Sequence, residues 1–330
     1  MSPDVPPIAG YTPPMNTELR AVPPPVDDHD GPLKERCIAL CEALEHHEFV
    51  LYYQPKADLL SGEIIRNSSG TVHLLVDVQG YFSTTVGPDG SDFHPQDPRR
   101  LHDTRQTSAL APGERRWFSI SDFYRGTAVS VNLTAVSPTA GGFLSATPAP
   151  TAATTSEVNF VAGGTTANHA FLRVGAGSGG DQGFWIYNGS PGRTHVLVDV
   201  DGVFATPSVS FPGLRYGPVP AVRLSDSRYA TPLGRGEVRA VAPVQGRGVF
   251  QPPAVLQVLN VTVTQPAEQV YLGVLPTSTT YVSTSVVNAE RGQTVPNLAV
   301  TGVAGGDDTA YVFTSNGPTH VVVDMVGRFY

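Results

Sequence analysis

Hydrophobic and polar positions follow the same pattern in three runs of this chain: Val72–Phe82, Thr194–Phe204 and Thr319–Phe329. Each is rich in valine and leucine and ends in glycine, one further residue and phenylalanine. That pattern predicts a strand that closes a structural unit. Side chains alternate along a strand, so His73 and Asp77 share one face, as do His195 with Asp199 and His320 with Asp324. The aliphatic positions take the opposite face and predict a core there.

The chain after residue 66 pairs with itself in a constant order. Arg100-Leu-His-Asp-Thr-Arg105 matches Arg223-Leu-Ser-Asp-Ser-Arg228, and Val129–Thr134 matches Gln257–Thr262. Further along, Ser156–Asn159 matches Ser285–Asn288, Asn168 matches Asn297, and Gly183–Tyr187 matches Thr309–Phe313. This is a duplicated unit of roughly 110–120 residues. About eight strand candidates per unit, separated by Gly, Pro, Asn and Ser turns, predict an antiparallel sandwich or barrel. The fold class read from the sequence is therefore mainly β, with two tandem antiparallel β-sandwich-like repeats at 96–206 and 219–330. Residues 207–218 read as a linker, and 67–95 as the tail of a partial copy followed by another linker.

The front of the chain has a different pattern. Residues 1–29 are proline-rich and predict a disordered arm. Residues 30–66 predict a short helix, with Leu33, Cys37, Leu40, Cys41 and Leu44 as its apolar stripe, then a strand and a hairpin. Residues 37–66, with Tyr53-Gln54-Pro55 followed by Asp58-Leu59 and Gly62-Glu63, resemble the opening of an EAL domain, the bacterial cyclic-di-GMP phosphodiesterase module. The resemblance implies substrate contact for Gln54. It stops before the family's Glu-Ala-Leu signature, so the acidic metal ligands that such hydrolysis requires are missing. Degenerate cyclic-di-GMP signalling is the alternative reading of function, and the sequence reads as a junction at residues 66–70.

Composition narrows the function classes. Charged residues make up 15% of the chain, while Gly 34 and Pro 30 are plentiful, which suits many short strands and turns. A net charge of −8 with no basic stripe argues against nucleic acid as a partner. No apolar run approaches the ~18 residues of a membrane span. The start at Met1 carries no signal-peptide pattern. The repeat pattern itself resembles a β-rich repeat of actinobacterial secreted and cell-surface proteins, which implies an extracellular or surface location and a cell-wall glycan or protein partner. No cofactor motif occurs, and none is expected.

The enzymatic candidate is an acid–base cluster of His195, Asp199 and Asp103, with His320, Asp324 and Asp226 as its twin. His195 and Asp199, four residues apart on one strand, are separated by roughly 13 Å, too far for a direct proton relay. The structural alternative is favoured, because a strand carboxylate among aliphatics needs a partner. The sequence predicts Asp199 paired with Arg105, and Asp324 with Arg228, through the Asp-Thr/Ser-Arg turn. Trp185, Tyr187 and Tyr311 are candidate glycan contacts on matching strands, with core packing as the competing role. No catalytic residue and no metal ligand is assigned, and the expected protein is a non-enzymatic structural or adhesive module.

Overall fold

The computed structural model describes residues 71, 77, 79, 80, 82, 90–120, 126–151, 155–207, 212–242, 255–279, 284–303 and 308–330. All of them belong to one compact unit, Glu48–Tyr330. The Pro-rich arm, the EAL-like helix and hairpin, and Gln54 lie outside the described residues. Among the described residues no helix is long and apolar enough to cross a membrane.

Module 1 contains β1 (Asp92–Asp103), β2 (Arg115–Ser119), β3 (Ala128–Val136), β4 (Gly142–Thr147), β5 (Val158–Phe160), β6 (Thr165–Arg173), β7 (Gly175–Ala176), β8 (Gln182–Asn188) and β9 (His195–Ala205). Module 2 repeats the plan with β10 (Tyr216–Asp226), β11 (Val238–Val241), β12 (Leu256–Thr264), β13 (Val270–Leu275), β14 (Val287–Ala289), β15 (Thr294–Gly302), β16 (Ala310–Thr314) and β17 (His320–Phe329). The first strands, β1 and β10, begin inside the two segments that read as linkers. The Pro-rich stretches there can still pair at a sheet edge, where a missing N–H is tolerated.

Each module is a sandwich of two antiparallel sheets. In module 1 one sheet has the order β1-β9-β3-β6 and the other β2-β8-β4-β5, with β7 against β8; module 2 matches with β10-β17-β12-β15 and β11-β16-β13-β14. The closing strands β9 and β17 are therefore central, each paired on both sides. Val196, Val198 and Val200 point into a core with Val131, Leu133, Phe184 and Ile186. Val321, Val323 and Met325 do the same in module 2. The aliphatic face expected from the sequence is the core face.

The opposite faces of the two central sheets hold the modules together. Leu256, Val258, Leu298, Val300 and Phe329 of module 2 form an apolar cluster with Phe93 and Phe204 of module 1. Strands β14 and β15 of module 2 pack against β6, and β3 beside it is buried on both faces along most of its length. Polar bonds fix its register: Asn132 Nδ2 donates to Ser285 O at 2.7 Å, and Asn297 Nδ2 donates to Asn132 Oδ1 at 2.9 Å. The link between modules is pinned by a two-way backbone bridge between Phe93 and Leu214.

Candidate functional site

The repeated Arg-Leu-x-Asp-Thr/Ser-Arg motif ends the first strand and enters a short 3-10 turn, at Thr104–Gln106 and again at Ser227–Tyr229. Asp103 caps its turn by accepting from the Arg105 backbone N at 3.0 Å, and Asp226 accepts from Arg228 N at 3.1 Å. The hydroxyls of Thr104 and Ser227 accept from the backbone N of Val196 and Val321, both at 2.7 Å. His195 Nδ1 lies 3.3 Å from Thr104 Oγ1, and His320 Nδ1 lies 2.9 Å from Ser227 O. The motif thus stitches the first strand and turn to the closing strand.

The arginine partners differ from the sequence expectation. Asp199 is held by Arg100, Nε to Oδ1 at 2.8 Å and Nη2 to Oδ2 at 2.9 Å, while Arg105 reaches Asp103 at 2.6 Å. Asp324 likewise pairs with Arg223, and Arg228 with Asp226. The reason is register. Arg100 sits directly across from Asp199, and Arg223 across from Asp324, whereas Arg105 and Arg228 lie in the turn beside their own capping aspartates. Hydrogen bonding from Arg105 holds the Asp103 carboxyl below the usual carboxylate range, and Arg228 does the same to Asp226. Burial pushes the Asp199 carboxyl upward, with Arg100 pulling against it. Asp103 and Asp199 are linked through Arg100, which lies 3.9 Å from Asp103. The carboxylates of the supposed acid–base cluster are engaged with arginines.

A Ser-His-Asp grouping that the sequence did not reveal lies where module 1 meets module 2. Ser130 Oγ and Asp201 Oδ2 lie 3.1 and 3.0 Å from the same atom, His169 Nε2. A relay needs the serine and the carboxylate on opposite ring nitrogens. Ser130 is fully buried, and the cavity beside the grouping, at about 30 Å³, has room for a water or two. Its counterparts in module 2 are Val258, Leu298 and Val326, so the grouping is a packing element of one interface.

The outward face of the β2-β8-β4-β5 sheet is different. Trp117 stands opposite Trp185 across β2 and β8, with ring centroids 5.6 Å apart. Tyr187 continues the row, with the Arg115 guanidinium 4.5 Å over its ring and Phe143 edge-on at 6.0 Å. Asp181 fixes one end, accepting from Trp117 Nε1 at 3.2 Å and from Ser119 Oγ at 2.9 Å. Those bonds hold its carboxyl below the usual range. Trp117, Trp185, Tyr187 and Phe143 are all half-buried, so the rings form a surface and not a core. Of the sequence candidates, Trp185 and Tyr187 lie here together. Tyr311, on β16, faces Ala240 where module 1 has Trp117. The platform is a property of module 1.

No protein-family model matches the chain, and no curated protein does. Among solved structures it is similar to the PBSX exported protein XepA at 14% identity, over 77% of this chain and 100% of that one, with a TM-score of 0.22. It is also similar to the N-terminal CBM22-1-CBM22-2 tandem domain from Paenibacillus barcinonensis Xyn10C, at 11% identity over 73% and 93% of the two chains, TM-score 0.19. A third likeness is to the T=3 Penaeus vannamei nodavirus structure, at 10% identity over 81% and 99%, TM-score 0.19. Scores this low carry no argument about function.

Proposed function

We propose that the chain is a non-enzymatic β-repeat protein that presents a binding face, and that module 1 takes a glycan across the Trp117–Trp185 platform. The observation that carries this reading is the aromatic row itself. Sugar rings have an apolar C–H face that lies flat on an aromatic ring, and Trp117 and Trp185, half-buried and tilted 57° to each other, offer two such surfaces. Arg115 and Asp181 at its edge supply a donor and an acceptor for ring hydroxyls. The non-enzymatic part of the reading rests on the chemistry-bearing groups of the repeat: Asp199, Asp324, Asp103 and Asp226 are held by arginines, and Ser130 is sealed.

Sedimentation with insoluble peptidoglycan and with insoluble polysaccharides tests the proposal. Retention on at least one glycan, lost in both Trp117→Ala and Trp185→Ala, supports it. A chain that binds none of them, or that binds equally well in both variants, removes the glycan role. Retention on a protein fraction alone assigns the face to a protein partner instead.

A further inference from the structure

The three copies of the closing segment meet at one point. Phe82, Phe204 and Phe329 hold the same place in the three copies, and Phe82 lies 6.3 Å from Phe204 and 6.1 Å from Phe329 between ring centroids. Around them the contacts repeat in one rotational sense. Phe93, on the first strand of module 1, stacks on Phe329 of module 2 at 4.4 Å with an interplanar angle of 25°. Tyr216, the matching residue of module 2, stacks on Phe82 at 4.1 Å and 23°. A second set of contacts runs the same way. Asp199 and Asp201 of module 1 line the cavity that Ser285 and Val286 of module 2 close, and Gln79 of the first copy donates to Glu157, the module 1 counterpart of Val286. Module 1 is to module 2 as the first copy is to module 1, and module 2 returns to the first copy through Tyr216.

We propose that Asp77, Gln79, Gly80 and Phe82 occupy the closing position of a third place in a three-fold ring of β modules, and that the surface left open on modules 1 and 2 receives a third copy of this module. Two differences between otherwise equivalent positions mark that surface. Gly202 and Gly327 lie under the first-strand rings of their own modules, where an added Cβ would come 2.2 Å from Phe93 and 2.2 Å from Tyr216 respectively. Over Gly80 no described atom lies within 4 Å, unlike its two counterparts. The face of module 1 that module 2 covers leaves the Asp199 side chain 3% exposed and Arg100 27%; the same face of module 2 leaves Asp324 21% and Arg223 46% exposed. The occupant is set by the rotational repeat. It must bring an aromatic first-strand residue over Gly80 and onto Phe204, an asparagine edge like Asn297 against Asn260, and a face like that of Asn132 against Asn168.

The test replaces residues 1–71 with a second copy of residues 91–193, joined to Val72, so that a third module precedes its own closing segment. Carboxyl labelling with a carbodiimide and an amine is read by mass spectrometry beside thermal unfolding. The proposal expects one unfolding transition above that of the original chain, with labelling of Asp324 falling to the level of Asp199. Independent melting of the added module, with Asp324 labelled as before, overturns it. The unaltered full chain gives a second readout that does not depend on the graft folding. Phe82→Ala should raise labelling of Glu157 toward that of exposed Asp77, and unchanged Glu157 labelling also overturns the proposal.

Discussion

Arg100 and Asp199 form a two-point ion pair between neighbouring strands, facing each other in register across β1 and β9 at 2.8 and 2.9 Å. The pair is repeated by Arg223 and Asp324, but with a different degree of cover. Removing one partner of a buried pair leaves an uncompensated charge and costs about 3–5 kcal/mol, whereas exposed pairs contribute about 0–1 kcal/mol. Arg100→Ala should therefore destabilise the protein by about 3 kcal/mol or more, and Arg223→Ala and Arg105→Ala by about 1 kcal/mol each. Urea denaturation midpoints measure the three. Equal losses for Arg100→Ala and Arg223→Ala would contradict the role given to module 2 as the cover.

Glu157 is 8% exposed, and burial together with the charge of Asp77 pushes its carboxyl up to about 7 from an ordinary 4.5. Between those values the unfolded chain has released a proton that the folded chain still holds. Stability therefore falls as pH rises from about 4.5 to 7, by up to about 3 kcal/mol. Glu157→Gln should flatten that part of the profile and be more stable than the parent at pH 8. Parallel stability-versus-pH curves for parent and variant would contradict the assignment.

The glycine of the closing segment offers an internal comparison. In Gly202→Ala the new methyl group meets the Phe93 ring, and in Gly327→Ala it meets Tyr216, so each should cost about 1–3 kcal/mol through overpacking. Gly80→Ala meets no described atom within 4 Å and should change stability by less than about 0.5 kcal/mol. Thermal unfolding of the three variants separates them. A loss at Gly80 as large as that at Gly202 would mean that its seat is filled.

Much of the architecture was legible because the closing strand occurs three times with its aliphatic face intact. The repeat of aspartate among aliphatics also signalled a paired carboxylate, which Asp199 and Asp324 both are, although only Asp199 is buried. The choice of arginine was missed, because the Asp-Thr/Ser-Arg turn offers a bidentate donor of its own, while the sheet register delivers Arg100 from across the strand pair. The same limit hid the platform. Trp185 was visible as a candidate, but Trp117 joins it only through the β2–β8 pairing, which links residues far apart in sequence. The signal for Arg100 was present all along, since the first arginine of the Arg-Leu-x-Asp motif recurs as Arg223.

The chain has two tryptophans, and both stand in the outward row of module 1, so selectively excited tryptophan emission reports on this face. Titration of the full chain with soluble peptidoglycan fragments and oligosaccharides, followed at the tryptophan emission maximum, is the direct test of the glycan reading. The account predicts a saturable blue shift or quench with at least one ligand, with binding abolished in both Trp117→Ala and Trp185→Ala. Saturable binding of a glycan with no change in tryptophan emission, or with both variants unaffected, would contradict it.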